Sequence, residues 1–334
     1  MLLAFATAIL TQVWVNRVEN EFTDFDQSNS RLAFGTYGSL GALDLDTGRR
    51  LWAQPLKEGQ LGARVATNEA TMVASIGNGP ISAFDLVTGK PRWSLPHKGY
   101  SSPLAMDAQT AYVETEPNHV SAIDLDSHRA LWSVIAEPDL KATDAQVSSK
   151  PILRAGNLLV GLRTGTLADV DAKTGAEKWV TNLSDSPVQS IFFDDEKVYA
   201  VLARGIVFAI GADTGTVIWR HDIQNAVAGT PLLQDGRIVV VSSGGYVVWL
   251  AAFNGSELWR SSFSKEEDFS ATGAIPNGSD VIFMRRSGAT QLDQIGRVRT
   301  TLSFTAPASA RAPVAYKGDY ILFDSHAVYR ARPQ

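Results

Sequence analysis

The sequence predicts an all-β fold: an eight-bladed β-propeller of four-stranded antiparallel blades, closed by pairing of the N- and C-terminal strands. Three observations carry this expectation. A phrase of the form Asp-x-x-Thr-Gly followed by Trp returns about every forty residues. Each such unit holds four short strand signals separated by turn residues, which is the pattern of a propeller blade. The last unit holds only three, and the missing strand is found at the opposite end of the chain.

The phrase is clearest in Asp44-Leu45-Asp46-Thr47-Gly48 before Trp52 and Asp85-Leu86-Val87-Thr88-Gly89 before Trp93. It recurs at Asp124…Trp132, at Asp171…Gly175 before Trp179, at Gly211…Gly215 before Trp219 and at Ala251…Gly255 before Trp259. The Asp caps backbone N–H groups of a turn, and the Gly takes positive φ at its end. The Trp falls on the outer strand, where it is expected to fill the wedge between blades. Residues 230–263 give one whole unit: Thr230-Pro231-Leu232-Leu233, a turn at Asp235-Gly236, the apolar run Arg237-Ile238-Val239-Val240-Val241, a turn at Gly244-Gly245, then Tyr246-Val247-Val248-Trp249-Leu250-Ala251, a turn at Asn254-Gly255, and Glu257-Leu258-Trp259-Arg260. First strands open near Pro103, Pro151, Pro231 and Pro313, which suits a strand edge that needs no donor.

Trp14, Trp52, Trp93, Trp132, Trp179, Trp219 and Trp259 are spaced by 38, 41, 39, 47, 40 and 40 residues. A degenerate unit follows at Leu292…Gly296, with Thr300 in the Trp place. Three strand signals come after it (312–316, 319–323 and 327–331), and Gln12-Val13-Trp14-Val15-Asn16 supplies the fourth strand, removing an open edge. Residues 11–334 are thus expected to form one propeller domain. Residues 1–10 are apolar and too short to span a bilayer; they read as a signal remnant, with Ala6-Thr7-Ala8 as cleavage site, or as a short extended arm.

Composition limits the function. A net charge of −5 over 334 residues, with no clustered Lys and Arg, argues against nucleic acid. The chain has no Cys, so disulfides, Cys-ligated zinc and a lipidated Cys are excluded in the sequence as given.

The phrase Ala-x-Asp-x-x-Thr-Gly-x-x-x-Trp, as at Ala42…Trp52 and Ala122…Trp132, resembles the repeat of pyrroloquinoline-quinone (PQQ) enzymes. Two families carry it on eight blades: the PQQ-dependent dehydrogenases and the outer-membrane assembly factor BamB, a scaffold without enzymatic activity. The length suits bare blades without catalytic insertions, and the Ser102-Pro103, Lys150-Pro151 and Thr230-Pro231 openings are similar to BamB blades. The resemblance implies a non-enzymatic, periplasmic or otherwise extracytoplasmic scaffold, at most peripheral to the membrane. Its partner would be an envelope complex, such as an outer-membrane β-barrel assembly machine, and it would need no cofactor. The alternative it leaves is a quinoprotein-type propeller that binds PQQ or another small ligand. The long Trp132-to-Trp179 interval falls where BamB proteins have an extended contact loop of Leu and Arg residues. Here the excess lies in 137–146, with Leu140 as apolar anchor and Lys141 and Asp144 as rim charges. BamB proteins are anchored through an N-terminal Cys, which this sequence lacks.

Other chemistry reads weakly. His97, His119, His128, His221 and His326 are scattered without metal-ligand spacing. Asp324-Ser325-His326 contains triad residue types, but adjacent residues on one turn cannot take triad geometry. The acidic runs Asp194-Asp195-Glu196 and Glu266-Glu267-Asp268 read as solvated loops. Arg163, Arg204, Arg285 and Arg286 each end a second strand and form a candidate basic patch near the central channel. Asn182, Asn254 and Asn277 lie in sequons, the last two before turn glycines.

Overall fold

The computed structural model describes residues 10–97, 100–116, 119–135, 147–262, 274–285, 288–303 and 314–333. Its strands form eight four-stranded antiparallel sheets, the blades of an eight-bladed β-propeller. Blades 1 to 7 are sequential meanders over 22–55, 63–95, 105–135, 152–182, 188–222, 232–262 and 274–303. The eighth sheet joins the strands of 314–333 to Leu10–Arg17, which pairs with Ala327–Pro333 from Leu10↔Pro333 to Arg17↔Ala327.

Within each blade, the second and third strands carry the apolar load. Thr71–Ile76 is buried along its whole length, as is Asn157–Gly161. Such continuous burial fits strands covered on both faces. Outer strands are mostly exposed and keep the Trp as their buried residue, as in Glu177–Asn182 and Val217–Asp222. Pro103, Pro151 and Pro231 lie just before the inner strands and not inside them, because those strands begin at Ala105, Ile152 and Leu232.

The repeated turn holds even where its Asp is absent. The Gly N–H bonds the carbonyl four residues back at Asp44, Asp85 and Asp171, and equally at Gly211 and Ala251, over 2.8–2.9 Å. Where present, Asp adds to this: Asp171 Oδ1 accepts from the Thr174 N–H and hydroxyl at 2.8 Å each.

By internal contacts the chain divides into two compact units. One is Glu19–Leu202 with Ile210–Thr216; the other is Met1–Val18 with Ala203–Ala209 and Val217–Gln334. In the first, the cores sit between successive blades: Val65, Met72 and Phe84 of blade 2 pack with Leu40 and Trp52 of blade 1. In the second, Val239, Val247 and Trp249 of blade 6 pack with Val281, Phe283 and Leu292 of blade 7.

Candidate functional site

The repeated Trp and Gly meet across blades. Trp52, Trp132 and Trp179 donate Nε1–H to the carbonyls of Leu86, Ala172 and Ala212, each in the following blade. Trp219 does the same to Ala252. The Gly of that following blade lies against the ring: a Cβ on Gly89, Gly175, Gly215 or Gly255 would come within 2.4–2.8 Å of the indole of Trp52, Trp132, Trp179 or Trp219. Gly296 meets Trp259 in the same way. Gly48 has φ 72° like the others, and Trp14 is half-buried on the strand Leu10–Arg17. Blade 3 departs from the pattern. His128 stands in the Gly position at φ 62°, its ring lies 5.8 Å from Trp93, and the buried Trp93 Nε1 has no partner among the described residues.

The inner strands of blades 1 and 2 are stitched by side chains. Thr23 Oγ1 donates to Ala63 O, and the carboxylates of Asp24 and Asp26 accept from Val65 N and Thr67 N at 3.0 and 2.8 Å. Lys150, just before the inner strand of blade 4, reaches Asp26 Oδ1 at 2.5 Å. Blades 1 and 4 are not neighbours, so this pair ties the inner strand of blade 1 to the residue that leads into the inner strand of blade 4.

Antiparallel meanders put the turns between second and third strands, and the links between blades, at one end of the sheets. Tyr37, Leu61 and Tyr100 all lie at that end, 61, 55 and 70 % exposed. Tyr37 is in a turn of blade 1, Leu61 in the link to blade 2 and Tyr100 in the link to blade 3. Leu61 N bonds Gly77 O in the corresponding turn of blade 2, which ties the link to the turn. The flanks of 137–146, Ile135 and Val147, open at the same end, since Ile135 pairs with His119 and Val147 bridges Leu162. Leu140, Lys141 and Asp144 themselves lie outside the described residues.

The remaining candidates are dispersed. Arg163 and Arg204 follow the second strands of blades 4 and 5, Arg285 ends a second strand of blade 7, and Arg286 is outside the described residues, as is the run 266–268. Asp194 caps its own turn through Glu196 N and Lys197 N and accepts from the Tyr199 hydroxyl. Burial pushes its carboxyl up, but these hydrogen bonds outweigh it and the net shift is downward. Asp85 is held down at about 2, first by the Thr88 N–H and then by the Arg92 guanidinium. Asp324 binds the His326 N–H and the Tyr329 hydroxyl, while Ser325 Oγ meets His326 Nδ1 at 2.8 Å. The carboxylate therefore orients a backbone and not the imidazole. His97 is half-buried against Gly79 O, and burial lowers its pKa. His119 lies on the third strand of blade 3, and His221 Nε2 is 3.6 Å from Glu257. Asn254 accepts from Ser256 N, whereas Asn182 and Asn277 end strands. Among the described residues, no three His, Asp or Glu side chains converge as a metal site would require. The repeat Asp residues each cap their own turn in separate blades.

The family model described as outer membrane protein assembly factor BamB matches residues 36–192 and 184–315. BamB of Shewanella oneidensis is 24 % identical over 207 residues, 54 % of this chain; the match spans 52 % of that relative's own length. The crystal structure of BamB from Moraxella catarrhalis superposes with a TM-score of 0.79 at 16 % identity, covering 97 % of this chain and 99 % of that one. A quinohemoprotein alcohol dehydrogenase from Comamonas testosteroni superposes at 0.74 with 11 % identity, covering 96 % of this chain and 76 % of that one, a likeness of fold alone. With the family model matched over well over half of its residues, the chain belongs to the outer membrane protein assembly factor BamB family.

Proposed function

We infer that this protein is a non-enzymatic scaffold outside the cytoplasm, which holds protein partners of an envelope complex in outer-membrane protein assembly. The observation that carries this is the exposure of Tyr37, Leu61 and Tyr100 at the end of the sheets where the blade links run. Aromatic and apolar side chains are enriched in protein interfaces, and loops on a rigid scaffold are where binding residues concentrate. Family membership points the same way. In this reading 11–334 acts as one domain, the repeat Trp and Gly residues serve packing, and Leu140 adds an apolar anchor with Lys141 and Asp144 at its rim.

The test is co-purification at native expression level from envelope extract. Wild type should recover a component of an outer-membrane β-barrel assembly machine. A Tyr37→Asp/Tyr100→Asp variant of unchanged melting temperature should lose it, and Leu140→Asp should weaken it. If the double variant recovers the same partner in the same amount, the surface is wrong. If wild type recovers none, the assembly role is wrong.

A further inference from the structure

In blades 1 and 4 the seam to the following blade is closed on its outer flank by a side chain two residues after the repeat Trp. In blade 1 this is Gln54, which donates to the Gly89 carbonyl of blade 2 at 2.6 Å. In blade 4 it is Thr181, which donates to the Gly215 carbonyl of blade 5 at 2.6 Å. In blade 3 the same position is Val134 and in blade 2 it is Leu95, neither of which has a donor. The carbonyl Val134 would have served is that of Gly175, and no described side chain replaces it.

The seam is open there. A crevice of about 210 Å³ lies between blades 3 and 4, lined by Val120 and Val134 on one side and Val160, Val170 and Val180 on the other. Its floor is buried, whereas Val180 at the mouth is 41 % exposed. The residue following the Trp is Ala53, Ser94, Ser133, Arg220 or Arg260 in five other blades; an exposed valine recurs only as Val15, after Trp14 of the closing strand. Glu177 stands on the rim, exposed, and makes no ion pair among the described residues. The volume exceeds the roughly 150 Å³ of an apolar cavity that takes up benzene.

We propose that this crevice is a docking site for an extended segment of a protein partner, which inserts one bulky apolar side chain and sets a neighbouring Lys or Arg against Glu177. The apolar floor recognises the inserted side chain. Glu177 fixes the sign of the adjacent charge, and the Gly175 carbonyl accepts a hydrogen bond that Val134 cannot give. The site is on the outer flank of the sheets and does not depend on the surface formed by Tyr37, Leu61 and Tyr100.

The test is methyl NMR of valine-labelled full chain, titrated with the peptide acetyl-Gly-Ser-Phe-Lys-Ser-Gly-amide. Saturable shifts at the Val134, Val160 and Val180 methyls are expected. They should vanish when Ala replaces the peptide Phe, and binding should weaken about threefold for Glu177→Gln, the scale of a rim ion pair. Val134→Gln restores the donor found in blade 1 and should abolish binding without lowering the melting temperature. Val180→Arg, which copies blades 5 and 6, should do the same should the first variant misfold. The proposal is overturned by three results: no shift with the Phe-Lys peptide, equal binding by wild type and the sealed variants, or methyl NOEs showing that residues 137–146 of the chain already fill the crevice.

Discussion

Gly215 and Gly236 allow one energetic contribution to be isolated. Both have φ +69°, but a Cβ on Gly215 would lie 2.8 Å from the Trp179 ring, while one on Gly236 would meet nothing within 4 Å. An alanine in the left-handed region costs about 1–2 kcal/mol, and the stiffer unfolded chain returns about 0.4–1. Gly236→Ala should therefore cost about 1 kcal/mol. Gly215→Ala carries the same strain and must also displace a buried indole that donates to Ala212 O at 2.9 Å. Overpacking of this kind adds about 1–3 kcal/mol, so the two variants should differ by about 2 kcal/mol. With about 2.1 cal/mol/K of unfolding entropy per residue over 334 residues, that difference is about 3 °C in melting temperature by calorimetry. In a Trp179→Ala background the gap should close, because the new Cβ then meets no ring. Equal shifts for the two single variants would refute the Trp-on-Gly seam.

His128→Gly should stabilise the protein by about 1 kcal/mol, by removing left-handed strain and letting the Trp93 indole bond the Leu125 carbonyl, which its ¹⁵N shift would report. Asp319→Asn should cost about 3–5 kcal/mol in urea unfolding, because the buried Arg330, 2.6 Å away, and Arg332 both lose this carboxylate as a partner. Asp85, held down at about 2 against 3.8 unfolded, contributes stability that is complete above pH 4 and lost as pH falls towards 2. Asp171 and Asp319 are shifted the same way, so the urea midpoint should fall through that window, and less steeply for Asp85→Asn. Asp169 is the converse case: burial raises its pKa and its Oδ1 has no partner among the described residues, so Asp169→Asn should raise the midpoint at neutral pH and leave it little changed in acid.

The blade count was legible because Gly and Trp recur in the sequence with constant spacing, and the shared eighth sheet because one unit ran short by a strand. The relation between repeats was not legible. Nothing within one repeat says that its Gly lies under the Trp of the repeat before, or that Val134 and Gly175 line one crevice; both follow from how adjacent sheets stack. Lys150 and Asp26 are 124 residues apart, and no local pattern links them. Tyr37, Leu61 and Tyr100 sit in three different connections, each unremarkable alone, and only the meander brings them to one end. The loop singled out by its length, with Leu140, Lys141 and Asp144, falls outside the described residues, so its part in binding rests on the proposed experiment.

The pairing of Leu10–Arg17 with Ala327–Pro333 has a consequence for how the chain is made. Every other ladder joins strands close in sequence, but this one joins strands about 300 residues apart, at a closure cost of about 5 kcal/mol. It is therefore the last ladder to form, after synthesis has passed residue 327. Until then Leu10–Arg17 is a strand without a partner, able to pair with another copy. The eighth sheet thus acts as a completion check: a chain cut short between residues 304 and 326 retains the first seven meanders but cannot be clasped.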